Sequence, residues 1–266
     1  MLSGTLIQVN DDQTDHDWES FAQADPYWSV LSTEEFHRDR LTPALLDRFF
    51  KSGAQHVESI ITMLRWRFGA PARFGVTLDF GCGVGRLLIP LAATSDKAIG
   101  IDVAPTMLAL CRQHADERNV KNIELYRSDD QLSSVQQYAG AVDLLTSFIV
   151  FQHIPPRRGA RILVALLQLM RSGACGYLQI TFAAMIQSLH YEAANVTGSQ
   201  YGFYQRTSEG LVKLVERSVM DVQIQMNHYN MNEIMCLFYQ VGITDVLVRF
   251  TNHSNIIGAE FYFQKP

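Results

Sequence analysis

The chain has 266 residues, 47% of them hydrophobic and 18% charged, a size and mixture that give one sizeable globular core and little room for a second ordinary domain. A formal net charge of -5 offers no broad basic field, so a small molecule is a better expected partner than nucleic acid. Cys82, Cys111, Cys175 and Cys236 lie far apart without a CxxC pair, which suits neither a disulfide framework nor a zinc site and points to a reducing cytoplasm; no secretory signal and no apolar run of ~18 residues is visible, so no membrane partner is expected.

Residues 1 to about 17 are polar and acidic and read as a loose leader, followed by the aromatic-rich DPYWSVLSTEEF (25–36). In TPALLDRFFKSGAQHVESIITMLRWRF (42–68), Leu45, Leu46, Phe49, Phe50, Val57, Ile60, Ile61 and Leu64 recur at helical intervals. That predicts one or two amphipathic helices around Gly53, starting at Thr42 and Pro43. From residue 75 the pattern alternates. VTLDF, KAIGID, NIELYRSD, AVDLLTSFIVF and GACGYLQITF read as strands, while GRLLIPLAA, APTMLALCRQHADER and RRGARILVALLQLMR read as helices. Strands alternating with helices imply βαβ units and a parallel sheet with right-handed crossovers. Residues 183–229 lose that beat, although SEGLVKLVERSV looks helical and VQIQM looks like a short strand. A helix is predicted over 231–241, with Asn230 and Glu233 at capping-box spacing and Gly242 at its end. ITDVLVRF and GAEFYFQK then form two strands joined by a short TNHSN turn, so the last runs antiparallel to its neighbour.

The chemistry concentrates on VTLDFGCGVGRLLIPLA (76–92). Gly81, Gly83 and Gly85 make GxGxG, and Arg86 stands where the dinucleotide fingerprint has its third glycine. That glycine allows close helix–strand packing, so the NAD reading loses ground. No Gly-Lys-Ser/Thr ending is present for a phosphate loop. Asp79, Asp102 and Asp129 end three successive predicted strands and so ring the crevice where open α/β sheets bind ligands. A diphosphate is repelled by such a ring. A ligand with a ribose, an amine and a cationic centre is not: Asp102 is placed to accept both ribose hydroxyls and Asp129 to meet an exocyclic amine.

LDFGCGVGR, IGIDVAPTML, RSDD and FIVFQHIP, in this order, resemble the motifs of class I S-adenosylmethionine-dependent methyltransferases. The resemblance implies a Rossmann-like α/β fold: a seven-stranded, mostly parallel sheet with an antiparallel last strand. It divides the chain into an N-terminal helical cap (1–70), a core binding S-adenosyl-L-methionine (SAM, 71–182), a substrate-side insertion (183–229) and a C-terminal helix with a strand pair (230–266). It further implies that Gly81 and Gly83, with Gly85 completing the turn, line the methionine moiety and that Asp79 lies near its ammonium. Asp102 takes the ribose, Val103 and Met107 flank the adenine, Asp129 and Asp130 lie near the base edge, and Ser147 and Phe148 sit beside the cofactor. More loosely, DPYWSVLS, FFKSG and NHYNMNEIMCLFYQVGIT are similar to bacterial small-molecule methyltransferases acting in polysaccharide or secondary-metabolite pathways.

Methyl transfer needs a nucleophile aligned with the methyl carbon and sulfur in a dry site, and a base only where the nucleophile must lose a proton. In SFIVFQHIPP the turn after the fourth strand presents Gln152 and His153. An imidazole titrates near neutrality, so His153 is the candidate base for an oxygen nucleophile; the competing reading has it satisfy a backbone group before Pro155. Tyr27 and Trp28 from the leader and Tyr201 and Tyr204 from the insertion are the candidate substrate wall. No histidine shows metal-ligand spacing, so no metal is expected. The expected activity is transfer of a methyl group to O or N of a small metabolite. The alternatives are a SAM-binding partner subunit or sensor without turnover and, behind it, an NAD-dependent oxidoreductase.

Overall fold

The computed structural model describes residues 13–184, 190–197, 200–206, 212–218, 226–253 and 256–266. Seven strands form one sheet in the order β3-β2-β1-β4-β5-β10-β9: β1 (Phe74–Phe80), β2 (Ser95–Asp102), β3 (Ile123–Arg127), β4 (Val142–Ser147), β5 (Met170–Ala184), β9 (Val246–His253) and β10 (Ile256–Gln264). The first five are parallel, and β10 runs antiparallel to both β5 and β9. The alternating pattern and the reversed tail therefore read correctly. The order reverses between β1 and β4, which opens a crevice at their carboxyl ends.

Helices cover both faces, because successive strand residues point opposite ways. On one face α6 (Pro156–Leu169) and α7 (Met231–Gln240) bury Ile162, Leu163, Leu166, Ile234 and Phe238 against Leu78, Phe80, Leu145, Leu178 and Phe261. On the other, α3 (Pro43–Phe68) packs Val57, Ile60, Ile61 and Leu64 on Phe74, Leu144, Tyr177 and Tyr262. Beside it α4 (Leu88–Ala93) and α5 (Pro105–Glu117) place Leu88, Met107 and Cys111 against Ala98 and Ile123.

α3 is one helix, capped by the Thr42 hydroxyl on the Leu45 amide and closed by Gly69 at φ 65. Gly53 does not break it. A Cβ there would lie 2.1 Å from the Arg86 carbonyl oxygen, so Gly53 lets α3 press on the chain leaving β1. Three expectations need correction. Residues 13–17 are not a loose leader but the start of α1 (Gln13–Ala24), which is tied to the core through Asp15 near its start and Glu19 at its middle. β4 stops at Ser147 instead of continuing to Phe151, because Ile149 takes φ 57 and turns the chain. Within SEGLVKLVERSV the described residues are not helical: they form β8 (Val212–Ser218), which pairs with β7 (Gln200–Arg206) and through it with β6 (His190–Thr197) in a separate antiparallel sheet. Its apolar spacing fits either period, and the partner strand decides. Most of VQIQM and of the loose leader lies outside the described residues.

Candidate active site

The turn after β1 is built by positive-φ glycines: Gly81 at 74°, Gly83 at 52° and Gly85 at 88°. Side chains there are strained in any case, and two of the three have no room. A Cβ on Gly81 would meet Val150 at 2.3 Å and one on Gly85 the Cys111 sulfur at 2.7 Å. The amides of Gly81 and Cys82 are pinned to the Ile101 carbonyl at 2.8 and 3.0 Å, which fastens the turn to the end of β2.

At that end Asp102 accepts the Gly83 amide on Oδ2 at 2.8 Å and the Ala104 amide on Oδ1 at 2.9 Å. Each carboxylate oxygen has two lone pairs, so the fixed acid keeps acceptor capacity for the two hydroxyls of a ribose. Burial pushes its carboxyl up to about 6, against the pull of the Ala104 and Gly83 amides. Asp79, only 2% exposed, accepts the Thr146 hydroxyl at 2.7 Å. Burial lifts its carboxyl to about 7, with the Thr146 bond and Arg86 opposing and Asp102 adding to the rise. Arg86 is the nearby cation. It is 6% exposed, bonds Ser52 at 3.2 Å, lies 5.8 Å over the Phe148 ring and leaves its Nε without a partner among the described residues. Burial lowers its guanidinium to about 10, with Asp79 resisting. Two acids thus face the glycine turn with their charged forms undercompensated. That is a hollow for positive charge, and it fits a sulfonium or ammonium better than a diphosphate.

Met107 is buried in the first turn of α5, and Val103, between Asp102 and that helix, is partly open. Asp129 accepts the Gln131 and Ser133 amides at 3.0 and 2.9 Å, which makes it the cap of the turn after β3. Asp130 is held by Arg158 at 2.6 Å and Arg161 at 3.4 Å, and Arg158 also grips both oxygens of Asp15 at 2.7 and 2.9 Å. At its middle α1 accepts the Thr106 hydroxyl and amide on Glu19 at 2.6 and 3.1 Å. α1 is therefore a strap from the start of α5 to α6, and a depression of about 580 Å³ opens beneath it at Asp15, Ser128, Asp129 and Arg158.

At the carboxyl end of β4, Ser147 donates to the Phe80 carbonyl at 3.0 Å and ties β4 to β1. Phe148 stays partly open between His56 and Arg86. His153 is 9% exposed, with Trp18 of α1 edge-on at 4.8 Å and Gln152 at 3.2 Å. Gln152 in turn accepts the Thr181 hydroxyl at 2.7 Å, and its carbonyl takes the Asn227 amide. Both are packed into the joint between α1, β5 and the chain entering α7. Tyr27 puts its hydroxyl 2.7 Å from His114 and its ring on Phe49, while Trp28 stacks on His37 at 5.0 Å. Within α2 (Pro26–Val30), Val30 stands 3.1 Å from where a Gly83 Cβ would be, and Tyr27 packs against the cluster that holds Cys82 and Val84 of the turn. Tyr201 and Tyr204 lie on β7.

Sequence reasoning passed over His56, Tyr177, Gln179 and Glu260, which gather on the α3 face of the sheet. His56 shares with Gly53, Val57 and Ile60 the spacing of the buried helical stripe, and Glu260 is a lone acid in an apolar strand. Those two irregularities were the available signals.

Residues 77–173 match the family described as a methyltransferase domain. A ubiquinone biosynthesis O-methyltransferase of Acinetobacter baumannii is 38% identical over 78 residues, 29% of this chain and 32% of that protein; the chain thus aligns with about a third of the length of the curated relatives it matches first. Among solved structures, magnesium protoporphyrin IX methyltransferase from Synechocystis PCC 6803, with bound S-adenosylhomocysteine (SAH), superposes with a TM-score of 0.61 at 14% identity over 93% of this chain and 98% of that one. CalS10, an amino pentose methyltransferase from Micromonospora echinaspora, does so with a TM-score of 0.54 at 13% identity over 85% and 98%. Residues 77–173 thus match a methyltransferase domain, and the chain shares its fold with S-adenosylmethionine-dependent methyltransferases of solved structure.

Proposed function

We propose that the chain is a SAM-dependent methyltransferase that moves a methyl group to an oxygen or nitrogen of a small metabolite. The observation that carries the reading is the pair of buried acids, Asp79 and Asp102, on either side of a glycine turn, with the partly bonded guanidinium of Arg86 beside Asp79. When bound, SAM supplies an electrophilic methyl on a sulfonium. Gly81 and Gly83 would leave room for its methionine chain, Asp79 would hold the ammonium and Asp102 the ribose hydroxyls, and Val103 and Met107 would flank the adenine. Asp129 lies at the base edge. Asp130 is left out of the cofactor set, because Arg158 and Arg161 already engage it. Val30 would exclude water beside the glycine turn, which strengthens the charge interactions there.

The matched relative is named as an O-methyltransferase and CalS10 as an amino pentose methyltransferase, which supports a small-molecule acceptor over nucleic acid. Among the described residues no helix is long and apolar enough to cross a membrane, and the four cysteines are unpaired; both support a cytoplasmic setting. Calorimetric titration with SAM, SAH and NAD at pH 8 tests the reading. SAM and SAH should bind and NAD should not compete with either. NAD binding in place of SAM would return the chain to the oxidoreductases.

A further inference from the structure

The α3 face carries a chain of hydrogen bonds that cofactor binding does not use. His56 Nε2 lies 3.1 Å from the Tyr177 hydroxyl, which donates to Glu260 Oε1 at 3.2 Å. The other oxygen of Glu260 accepts the Tyr262 hydroxyl at 3.1 Å, with Arg249 at 3.9 Å. Tyr177 and Tyr262 are buried, and Glu260 nearly so. A carboxylate is a stronger acceptor than an imidazole nitrogen, so the single Tyr177 proton goes to Glu260. Nε2 must then donate to the Tyr177 oxygen, which leaves the lone pair of His56 on Nδ1. Burial and Glu260 push the Tyr177 hydroxyl far up, so it stays protonated. His56 itself is partly open, and its ring centroid is 4.1 Å from that of Phe148, the first residue after β4.

Next to this chain stands a second unexplained group. Gln179 pairs opposite Glu260 across β5 and β10. It is 1% exposed, yet neither its Nε2 nor its Oε1 has a hydrogen-bond partner among the described residues. A buried amide with both atoms unmatched is costly in the free protein. It offers one donor and one acceptor, which are the complements of a hydroxyl.

We propose that His56, Tyr177 and Glu260 form a proton relay for a hydroxylated small-molecule acceptor, and that Gln179 binds a second hydroxyl of the same molecule. The proposal rests on the methyltransferase reading above. As the acceptor oxygen bonds to the methyl carbon, the carbon–sulfur bond breaks and its electron pair goes to sulfur. The acceptor proton passes to Nδ1, the Nε2 proton to the Tyr177 oxygen, and the Tyr177 proton to Glu260. The products are a methyl ether, neutral SAH and a protonated Glu260, which exchanges its proton at the rim where Arg249 is exposed. The groups facing His56 are Arg86 from the glycine turn, Tyr177 from β5 and His253 from β9, with Glu260 behind Tyr177. Burial, then Arg86 and His253, lower the imidazole to about 4. His56 is thus neutral at pH 7 and passes the proton on instead of storing it.

Two readouts test this. Nitrogen-15 NMR of histidine-labelled protein should show His56 as the Nε2–H tautomer from pH 6 to 8, with Tyr177→Phe mixing the two tautomers; an Nδ1–H tautomer overturns the relay without reference to activity. Methyl-labelled SAM with a panel of catechols, phenols, monosaccharides and amines gives the second. The wild type should methylate a hydroxyl acceptor at a rate flat from pH 6 to 8. His56→Asn should lower that rate by about 10² to 10⁴ and make it rise about tenfold per pH unit, since only the ionised acceptor then reacts. SAM affinity should hold. Tyr177→Phe, which keeps the packing, should show the same slope. A His56→Asn rate that is unchanged and flat overturns the relay alone, as does methylation of amines only. A wild type that binds SAM and methylates nothing overturns the methyltransferase reading, and the relay with it.

Discussion

The buried acid at the end of β1 sets up a trade between stability and binding. Asp79 has its carboxyl raised from the ordinary 3.8 to about 7, and it is 2% exposed. For an acid raised on folding, the folded chain holds the proton more tightly than the unfolded one. The cost is therefore absent below the unfolded value, grows as pH rises from about 4 to 7, and is complete above 7. The gap corresponds to an upper bound of about 4 kcal/mol at pH 8. Relaxation around the charge leaves an expected ~1 to 3 kcal/mol. Asp79→Asn mimics the neutral acid and keeps an oxygen for the Thr146 hydroxyl. The free variant should melt higher than wild type at pH 8, by roughly 2 to 4 °C per kcal/mol for a chain of this size. The gain should shrink at pH 5 and vanish near pH 4. The same substitution should weaken SAM at least tenfold, because the ammonium loses its carboxylate. Thermal melts at pH 4, 5 and 8 with calorimetry at pH 8 measure both. A variant no more stable at pH 8, or a gain that ignores pH, refutes the argument from burial.

Asp102→Ala should weaken SAM by at least tenfold, about 1.4 kcal/mol, while leaving Gly83 and Ala104 without their acceptor; an unchanged calorimetric affinity removes Asp102 from the ribose. His153→Asn should lower the melting temperature, since the ring is packed on Trp18, and leave the single-turnover rate per folded molecule within about threefold. A rate loss of 10² or more would restore His153 as the base. Arg158→Met, which frees Asp15 and Asp130 from their shared cation, should cost about 1 to 3 kcal/mol after discounting for the partly exposed acids and make residues 13–24 sensitive to limited proteolysis; resistance equal to wild type would show that α1 is held by other contacts. Gln179→Met should stabilise the free protein by about 1 kcal/mol in a urea melt, and a loss of stability would show that the amide is satisfied in solution.

The alternation of strands and helices was legible because each element carries its own period, and the antiparallel tail because its joining turn is short. Gly81, Gly83 and Gly85 announced the turn for the same local reason. The strap was not legible: α1 is polar, and what orders it are Arg158 and Thr106, which stand about 90 to 140 positions away and leave no periodic trace. Asp130 looked like a second ligand acid beside Asp129, but its direction is set by the same Arg158. Tyr27 and Trp28 drew attention by size, whereas the α2 side chain beside Gly83 is that of Val30. His153 stood out for its imidazole, but burial against Trp18 depends on the strap and could not be read from its own neighbours. His56 was hidden for the opposite reason. Its helix position was readable, but its partners Tyr177 and Glu260 come from strands more than a hundred residues further on.

The central claim is that the acidic hollow at the glycine turn holds SAM and that its methyl group leaves for a small molecule. The most direct measurement gives the purified chain methyl-labelled SAM and a pooled metabolite extract, and follows SAH and product masses together. The account predicts SAH accumulating in step with a small product that carries one labelled methyl group, and neither appearing with Asp102→Ala. SAM bound but returned intact, with no labelled small molecule, would contradict it.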